Sequence, residues 1–194
     1  MNLLVCGVGG QGVLLFSDIL AQLALTAGLD VKKSEVHGMA QRGGSVTSHI
    51  RWGEKIHSPL IEEGTADIIV AFELLEAVRY LHFLAPAGWL IYDPLTIAPL
   101  PVQLGLVEQI APQELVKRIQ NRIQKSLSVR AFDTACTLGN PRVQNTVMLG
   151  AVSRLLEFPD DLYCQTIKQL VKPQFVEANI LAFRRGQELN PISR

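Results

Sequence analysis

Leu3-Leu4-Val5-Cys6-Gly7-Val8-Gly9-Gly10-Gln11-Gly12 decides the fold, because a short apolar run, a glycine turn and a long apolar-periodic segment follow one another without a break. The order reads as strand, turn, helix. From Val13 to Ala27, Leu15, Ile19, Leu23 and Ala27 recur at helical spacing, with Phe16, Leu20 and Ala24 in the adjacent stripe and Asp18 and Gln22 opposite. Gly28 then ends the helix. Without side chains at Gly7 and Gly9 the backbone can turn tightly and approach a phosphate, while Gly12 lets the helix pack closely on the strand. The helix's unpaired N–H groups favour an anion at the turn. The alternative is that these glycines serve strand–helix packing and bind nothing.

Outward from this unit, apolar strands alternate with helices. Val31 to Val36 is a second strand, a loop carries Gly38, Gly43 and Gly44, and Val46 to Trp52 alternates like a strand. Gly53-Glu54 has the look of a hairpin turn into Lys55-Ile56-His57. Asp67 to Phe72 suits a strand buried on both faces, Glu73 to Leu84 a helix, and Trp89 to Asp93 another buried strand closed by Pro94. The stretch from Pro94 to Gly105, with three prolines, is extended or looping and has no readable role. Pro112 opens a helix to about Lys125, and Val129 to Phe132 is expected as a last strand. Helices beginning near Pro141, Pro159 and Pro173 finish the chain. The fold class expected is α/β: a three-layer sandwich on a mostly parallel, Rossmann-like sheet, with an extended hairpin insertion and a helical C-terminus.

Composition narrows the function. At 194 residues and 48% hydrophobic, residues 1–194 are expected to make one domain. Lys+Arg and Asp+Glu both number 18, so neither nucleic acid nor an anionic membrane is an expected partner. Cys6, Cys136 and Cys164 form no Cys-x-x-Cys pair for zinc or an iron–sulfur cluster and read as small core residues. The first apolar stretch is broken by Gly9-Gly10-Gln11 and preceded by no basic region, so neither a secretion signal nor a span is expected, and the cytoplasm is the expected location.

Ligands of open parallel sheets collect at the carboxyl ends of the strands, where both glycine loops are expected to share a rim. The candidate rim is Gly7, Gly9, Gly10, Gln11 and Gly12 from the first loop, with His37, Gln41, Arg42, Gly43 and Gly44 from the second. Arg42 can clamp a carboxylate or phosphate bidentately, and equally can pair with Glu35 or dock on a partner protein. Gln11 can add an amide donor or acceptor. His37 can donate to an oxyanion, although loop histidines are more often structural. In a nicotinamide enzyme an acidic residue ends the second strand about 20 residues past the glycines; Asp30 precedes that strand and Glu35 lies near its end but leads into a glycine loop, so the match is imperfect. Lys32 and Lys33 read as solvated strand-edge charges. Asn140 is an N-cap candidate with Pro141 at the first helical position, and Arg142 and Asn145 can face the rim or a subunit contact, or equally serve ordinary capping and core hydrogen bonding. No nucleophile–base pattern and no metal-ligand spacing occurs among the four histidines.

Taken together, the glycine turn, the loop His37-Gly38-Met39-Ala40-Gln41-Arg42-Gly43-Gly44-Ser45-Val46, and Gly139-Asn140-Pro141-Arg142 through Asn145 to Gly150 resemble the gamma subunit or domain of 2-oxoacid:ferredoxin oxidoreductases. The branch resembled most is the beta subunit of the indolepyruvate enzymes. The resemblance implies a pyruvate/ketoisovalerate oxidoreductase gamma-type domain in an enzyme that converts an aryl-2-oxoacid and coenzyme A to aryl-acetyl-CoA, carbon dioxide and reduced ferredoxin. It further implies that thiamine diphosphate and iron–sulfur clusters sit on a larger alpha subunit, since this chain has no Gly-Asp-Gly motif and too few cysteines for a four-cysteine cluster. The chain would be inactive alone, with no catalytic residue of its own, and would meet ferredoxin through the complex. Two other readings stay open: a stand-alone nucleotide-binding oxidoreductase, and a non-catalytic nucleotide-sensing module.

Overall fold

The computed structural model describes residues 1–37 and 43–189. Its strands are β1 (Asn2–Val8), β2 (Asp30–His37), β3 (Ser45–Gly53), β4 (Ala66–Ala71), β5 (Leu84–Tyr92) and β6 (Ser126–Ser128). They form one sheet in the order β2-β3-β1-β4-β5-β6. β1 pairs in parallel with β4, β4 with β5 and β5 with β6, while β3 runs antiparallel to both β1 and β2. Only β3 therefore opposes the common direction.

The pleat of β1 builds the two outer layers. Leu3 and Val5 face a core completed by α1 (Val13–Thr26), α5 (Ala131–Thr137), α6 (Gln144–Ser153), α7 (Asp160–Leu170) and α8 (Val176–Glu188). Leu4 and Cys6 face the smaller core under α2 (Leu74–Arg79) and α4 (Pro112–Arg122). Alternate residues of one strand thus belong to different cores, which is why its apolar run is unbroken. A short helix α3 (Leu100–Gln103) stands outside both cores. Helix α6 is buried at every position, Gln144 to Ser153, because α1, α5 and α8 pack around it.

Several sequence expectations change. The hairpin is β2–β3, paired from Asp30↔Gly53 to His37↔Val46, and its connection is the glycine-containing loop rather than Gly53-Glu54. Lys55 to His57 form no strand, because β1 and β2 already occupy both edges of β3; the Ile56 N–H ends on Asp30 Oδ2 at 2.8 Å. The helix expected over Glu73 to Leu84 stops at Arg79, and β5 begins at Leu84, five residues before the expected strand start. Pro86 and Gly88 lie inside β5 where its register with β4 is irregular, and a Cβ on Gly88 would meet the Ala66 carbonyl at 2.8 Å. The last strand is Ser126–Ser128, and Ala131 already starts α5, because Asp93 Oδ2 accepts the Phe132 N–H at 2.7 Å and holds the chain in a helical turn.

One buried side chain sets a pH dependence. His49 on β3 accepts the Ile61 N–H on Nδ1 at 3.1 Å and meets the Phe83 ring edge-on, and burial pushes its pKa below the ordinary imidazole range. The folded chain binds this proton less tightly than the unfolded chain, so His49's contribution is complete above about pH 6.5 and declines as pH falls through that value. Urea midpoints measured between pH 7 and pH 5 should fall less steeply for His49→Gln than for the wild type. Parallel slopes would exclude this role.

Candidate functional site at the carboxyl edge of the sheet

At the carboxyl end of β1 the chain turns through the glycines into α1, which has Gly12 as its N-cap in the left-handed region, at φ 78°, and no side-chain cap. The two glycine loops meet: the Gly9 N–H donates to the Gly44 carbonyl at 2.9 Å. The structure thus brings Gly9 of the first loop against Gly44 of the second, with Gly7, Gly10, Gln11 and Gly12 on one side of the contact and Gly43 on the other. His37 closes β2 opposite Val46. Gln41 and Arg42 lie outside the described residues.

The glycines divide by what surrounds them. A Cβ on Gly12 would stand 2.6 Å from Asn145 Nδ2, and one on Gly7 would meet Gln11, Phe72 and Val13 at 3.0 Å, so both positions serve close packing. Gly10, at φ 106°, has open space around its missing Cβ. Gln11 is turned inward: its Oε1 accepts the Val8 N–H at 2.7 Å and its Nε2 donates to the Phe72 carbonyl at 2.8 Å. It braces the turn between the ends of β1 and β4 and does not offer its amide to the rim.

Beneath the rim lies a polar strut that the sequence reading missed. Gln144 Nε2 donates to the Phe72 carbonyl at 3.1 Å and to Asp93 Oδ2 at 3.0 Å, and Gln11 Nε2 lies 3.4 Å from Gln144 Oε1. Asp93, directly after β5, also accepts the Leu95 N–H at 3.0 Å. Burial raises its carboxyl above the usual carboxylate range, against the pull of the Phe132, Leu95 and Gln144 donors. A second buried carboxylate supports the other loop: Ser45 Oγ donates to Glu76 Oε2, and Arg79 Nε lies 3.2 Å from Glu76 Oε1. Glu73, two residues past the end of β4, accepts the Glu76 N–H at 2.9 Å and the Ile97 N–H at 3.1 Å. Burial raises Glu73 and Glu76 likewise. An acidic residue just past a buried strand, as in Phe72-Glu73 and Tyr92-Asp93, was the available signal.

Above the strut a cleft of about 200 Å³ is lined by Gly10, Gln11, Leu95, Ile97, Arg142 and Gln144, among others. Asn140 Oδ1 accepts the Arg142 N–H at 3.2 Å and caps the turn that places exposed Arg142 there. Asn145 instead packs beneath Gly12, with Nδ2 at 3.4 Å from its carbonyl. The acidic position of a dinucleotide site is displaced: β3 separates β2 from β1, Asp30 holds Lys32 and the Ile56 N–H at the far end of β2, and Glu35 pairs with Lys33 at 2.6 Å. Cys6 is buried on β1, Cys136 exposed on α5 and Cys164 half-buried on α7. Among the described residues no group of three His, Cys, Asp or Glu side chains is placed to hold a metal, so they do not fit an iron–sulfur cluster. Nor is any helix of the described residues long and apolar enough to cross a membrane.

A glycine turn at the carboxyl edge of an open, mostly parallel sheet defines an α/β protein of the Rossmann-like class. The family model described as pyruvate ferredoxin/flavodoxin oxidoreductase matches residues 2–189, and the chain belongs to that family. It is 35% identical over 188 residues to the indolepyruvate oxidoreductase subunit IorB of Thermococcus kodakarensis, covering 95% of this chain and 93% of that one. The gamma subunit of a keto/oxoacid ferredoxin oxidoreductase from Geobacter sulfurreducens shares the fold, with TM-score 0.70 and 23% identity over 96% of each chain. The ketoisovalerate oxidoreductase subunit VorA of Methanothermobacter thermautotrophicus is 26% identical over 95% of this chain, which spans only 35% of that longer protein. The chain is accordingly an oxidoreductase subunit of the 2-oxoacid:ferredoxin type.

Proposed function

We propose that residues 1–194 act as one gamma-type domain, the smaller subunit of an indolepyruvate-type ferredoxin oxidoreductase. The reaction joins an aryl-2-oxoacid and coenzyme A into aryl-acetyl-CoA, releasing carbon dioxide and passing two electrons to ferredoxin. Thiamine diphosphate and iron–sulfur clusters supply the decarboxylation and electron-transfer chemistry from a larger subunit. This chain contributes the shape and charge of one wall: the joined glycine loops, Arg42 of the second loop, and Arg142 at the cleft receive an anionic group of coenzyme A or of the oxoacid as it approaches the larger subunit.

The observation that supports this reading is the Gly9–Gly44 hydrogen bond, which joins the end of the second glycine loop to the first glycine turn, whose Gly10 and Gln11 line the cleft. The guanidinium of Arg42 suits a phosphate or carboxylate because it can donate two parallel hydrogen bonds. In the assembled enzyme, Arg42→Ala is expected to raise KM for coenzyme A or for the oxoacid about tenfold or more, as loss of a charge-assisted contact worth roughly 1.5–3 kcal/mol requires. kcat should change little. An unchanged KM for both substrates would remove the anion-binding role, and loss of the complex would make Arg42 an interface residue.

A further inference from the structure

The segment from Pro94 to Gln113, which begins with the stretch to Gly105 whose role the sequence leaves unread, carries a single charge, Glu108. It also exposes Leu100, Leu104, Leu106, Val107 and Ile110, five large apolar side chains within eleven residues, with Leu104 63% and Leu106 72% exposed. Apolar residues scattered singly over a surface need no explanation, but such a cluster does. The segment is also held in place. The Leu74 N–H donates to the Leu95 carbonyl at 2.8 Å, the Ile97 N–H to buried Glu73 at 3.1 Å, and Gln103 Nε2 to the Ala98 carbonyl at 2.6 Å. The Leu106 N–H closes the turn after α3 on the Pro101 carbonyl at 2.8 Å. An apolar surface fixed before contact loses little conformational entropy on binding.

We infer that this segment is the docking surface for the larger subunit of the same enzyme. The occupant follows from two observations. Leu95 and Ile97, at the start of the segment, line the cleft with Gly10, Gln11 and Arg142, so a body seated on Leu100 to Ile110 is placed beside the cleft as well. In VorA the unit matching this chain makes up 35% of a longer protein. There the unit is continuous with about twice its own length of further chain; as a free-standing subunit it must meet the corresponding body through an exposed surface. The near absence of charge fits a lasting, largely apolar subunit interface, in which the core of the contact is depleted of charged residues.

The inference rests on the proposed assembly with a larger subunit, and the test separates the two. The full chain is co-expressed with the larger subunit, and the complex is followed by size-exclusion chromatography and hydrogen exchange. Leu104→Asp with Leu106→Asp is expected to weaken the complex by at least a hundredfold while the free chain keeps its Tm, since both side chains are exposed; Leu181→Asp, exposed on α8, is expected to leave the complex intact. In the wild type, amides from 100 to 110 should gain protection when the larger subunit binds, a readout that needs no variant. A complex undisturbed by the double change, or no added protection, overturns the docking surface and leaves the assembly reading standing. A wild-type chain that binds no larger subunit overturns both. Dimers of the free chain that the double change dissolves, with the complex undisturbed, would assign the surface to a second copy and overturn the inference.

Discussion

Gly186→Ala is expected to destabilise the chain by about 3 kcal/mol, at the upper end of overpacking costs, although alanine would strengthen an isolated helix by roughly 1 kcal/mol. The reason is the contact between α6 and α8. A Cβ on Gly186 would stand 1.9 Å from the Val147 carbonyl oxygen, and one on Gly150 would stand 2.0 Å from that of Phe183. Both obstacles are helix backbone, which cannot rotate aside as a side chain does. The helices would have to move apart, and α6 is buried along its whole length, so separation opens gaps on every face. For a domain of this size about 2–4 °C of Tm accompanies each kcal/mol. Thermal unfolding of Gly186→Ala should therefore show a Tm lower by about 6–12 °C, and a Tm equal to wild type would refute the backbone contact.

The same contact shows what a sequence can and cannot reveal. The turn between β1 and α1 is legible because strand, glycines and helix are contiguous and each has a local cause. The packing role of Gly150 and Gly186 is not, because the two lie 36 residues apart and neither interrupts its helix. The hairpin was misplaced for a related reason. Gly53-Glu54 carries a local turn signal, whereas the real connection between β2 and β3 is a longer loop whose glycines suggested a ligand. Pairing with β1, a tertiary event, decided between them. Val129 to Phe132 reads as a short last strand, yet Asp93 captures the Phe132 N–H and turns the chain into α5. At the candidate site the glycines that the Gly9–Gly44 contact brings together were legible, while Arg42 lies outside the described residues. Their supports Glu73, Glu76, Asp93 and Gln144 were not, since each matters through a partner brought to it by the sheet.

Those supports make the strut beneath the rim the place where paired substitutions should do most damage. The Phe72 carbonyl is buried at the end of β4 and accepts from both Gln11 and Gln144. Gln11→Leu also removes the acceptor for the Val8 N–H, and Gln144→Leu removes a donor from the Asp93 carboxylate, so each single change is expected to cost about 2 kcal/mol. After either one, the Phe72 carbonyl still keeps a donor. After both it has neither, and leaving a buried acceptor unpaired adds roughly 1–3 kcal/mol that neither single change shows. The double variant should therefore be less stable than the two single losses predict, by about 1 kcal/mol or more. Its total loss of about 5 kcal/mol is comparable to the whole stability of many domains. The direct Gln11–Gln144 contact, at 3.4 Å, is too long to reverse the sign. Urea denaturation of the four proteins of this cycle reads the coupling directly. Simple additivity would mean that the two amides act independently. Excess loss would show that one shared carbonyl ties the glycine turn, the end of β4 and α6 together, and that it stays partnered as long as either donor is in place.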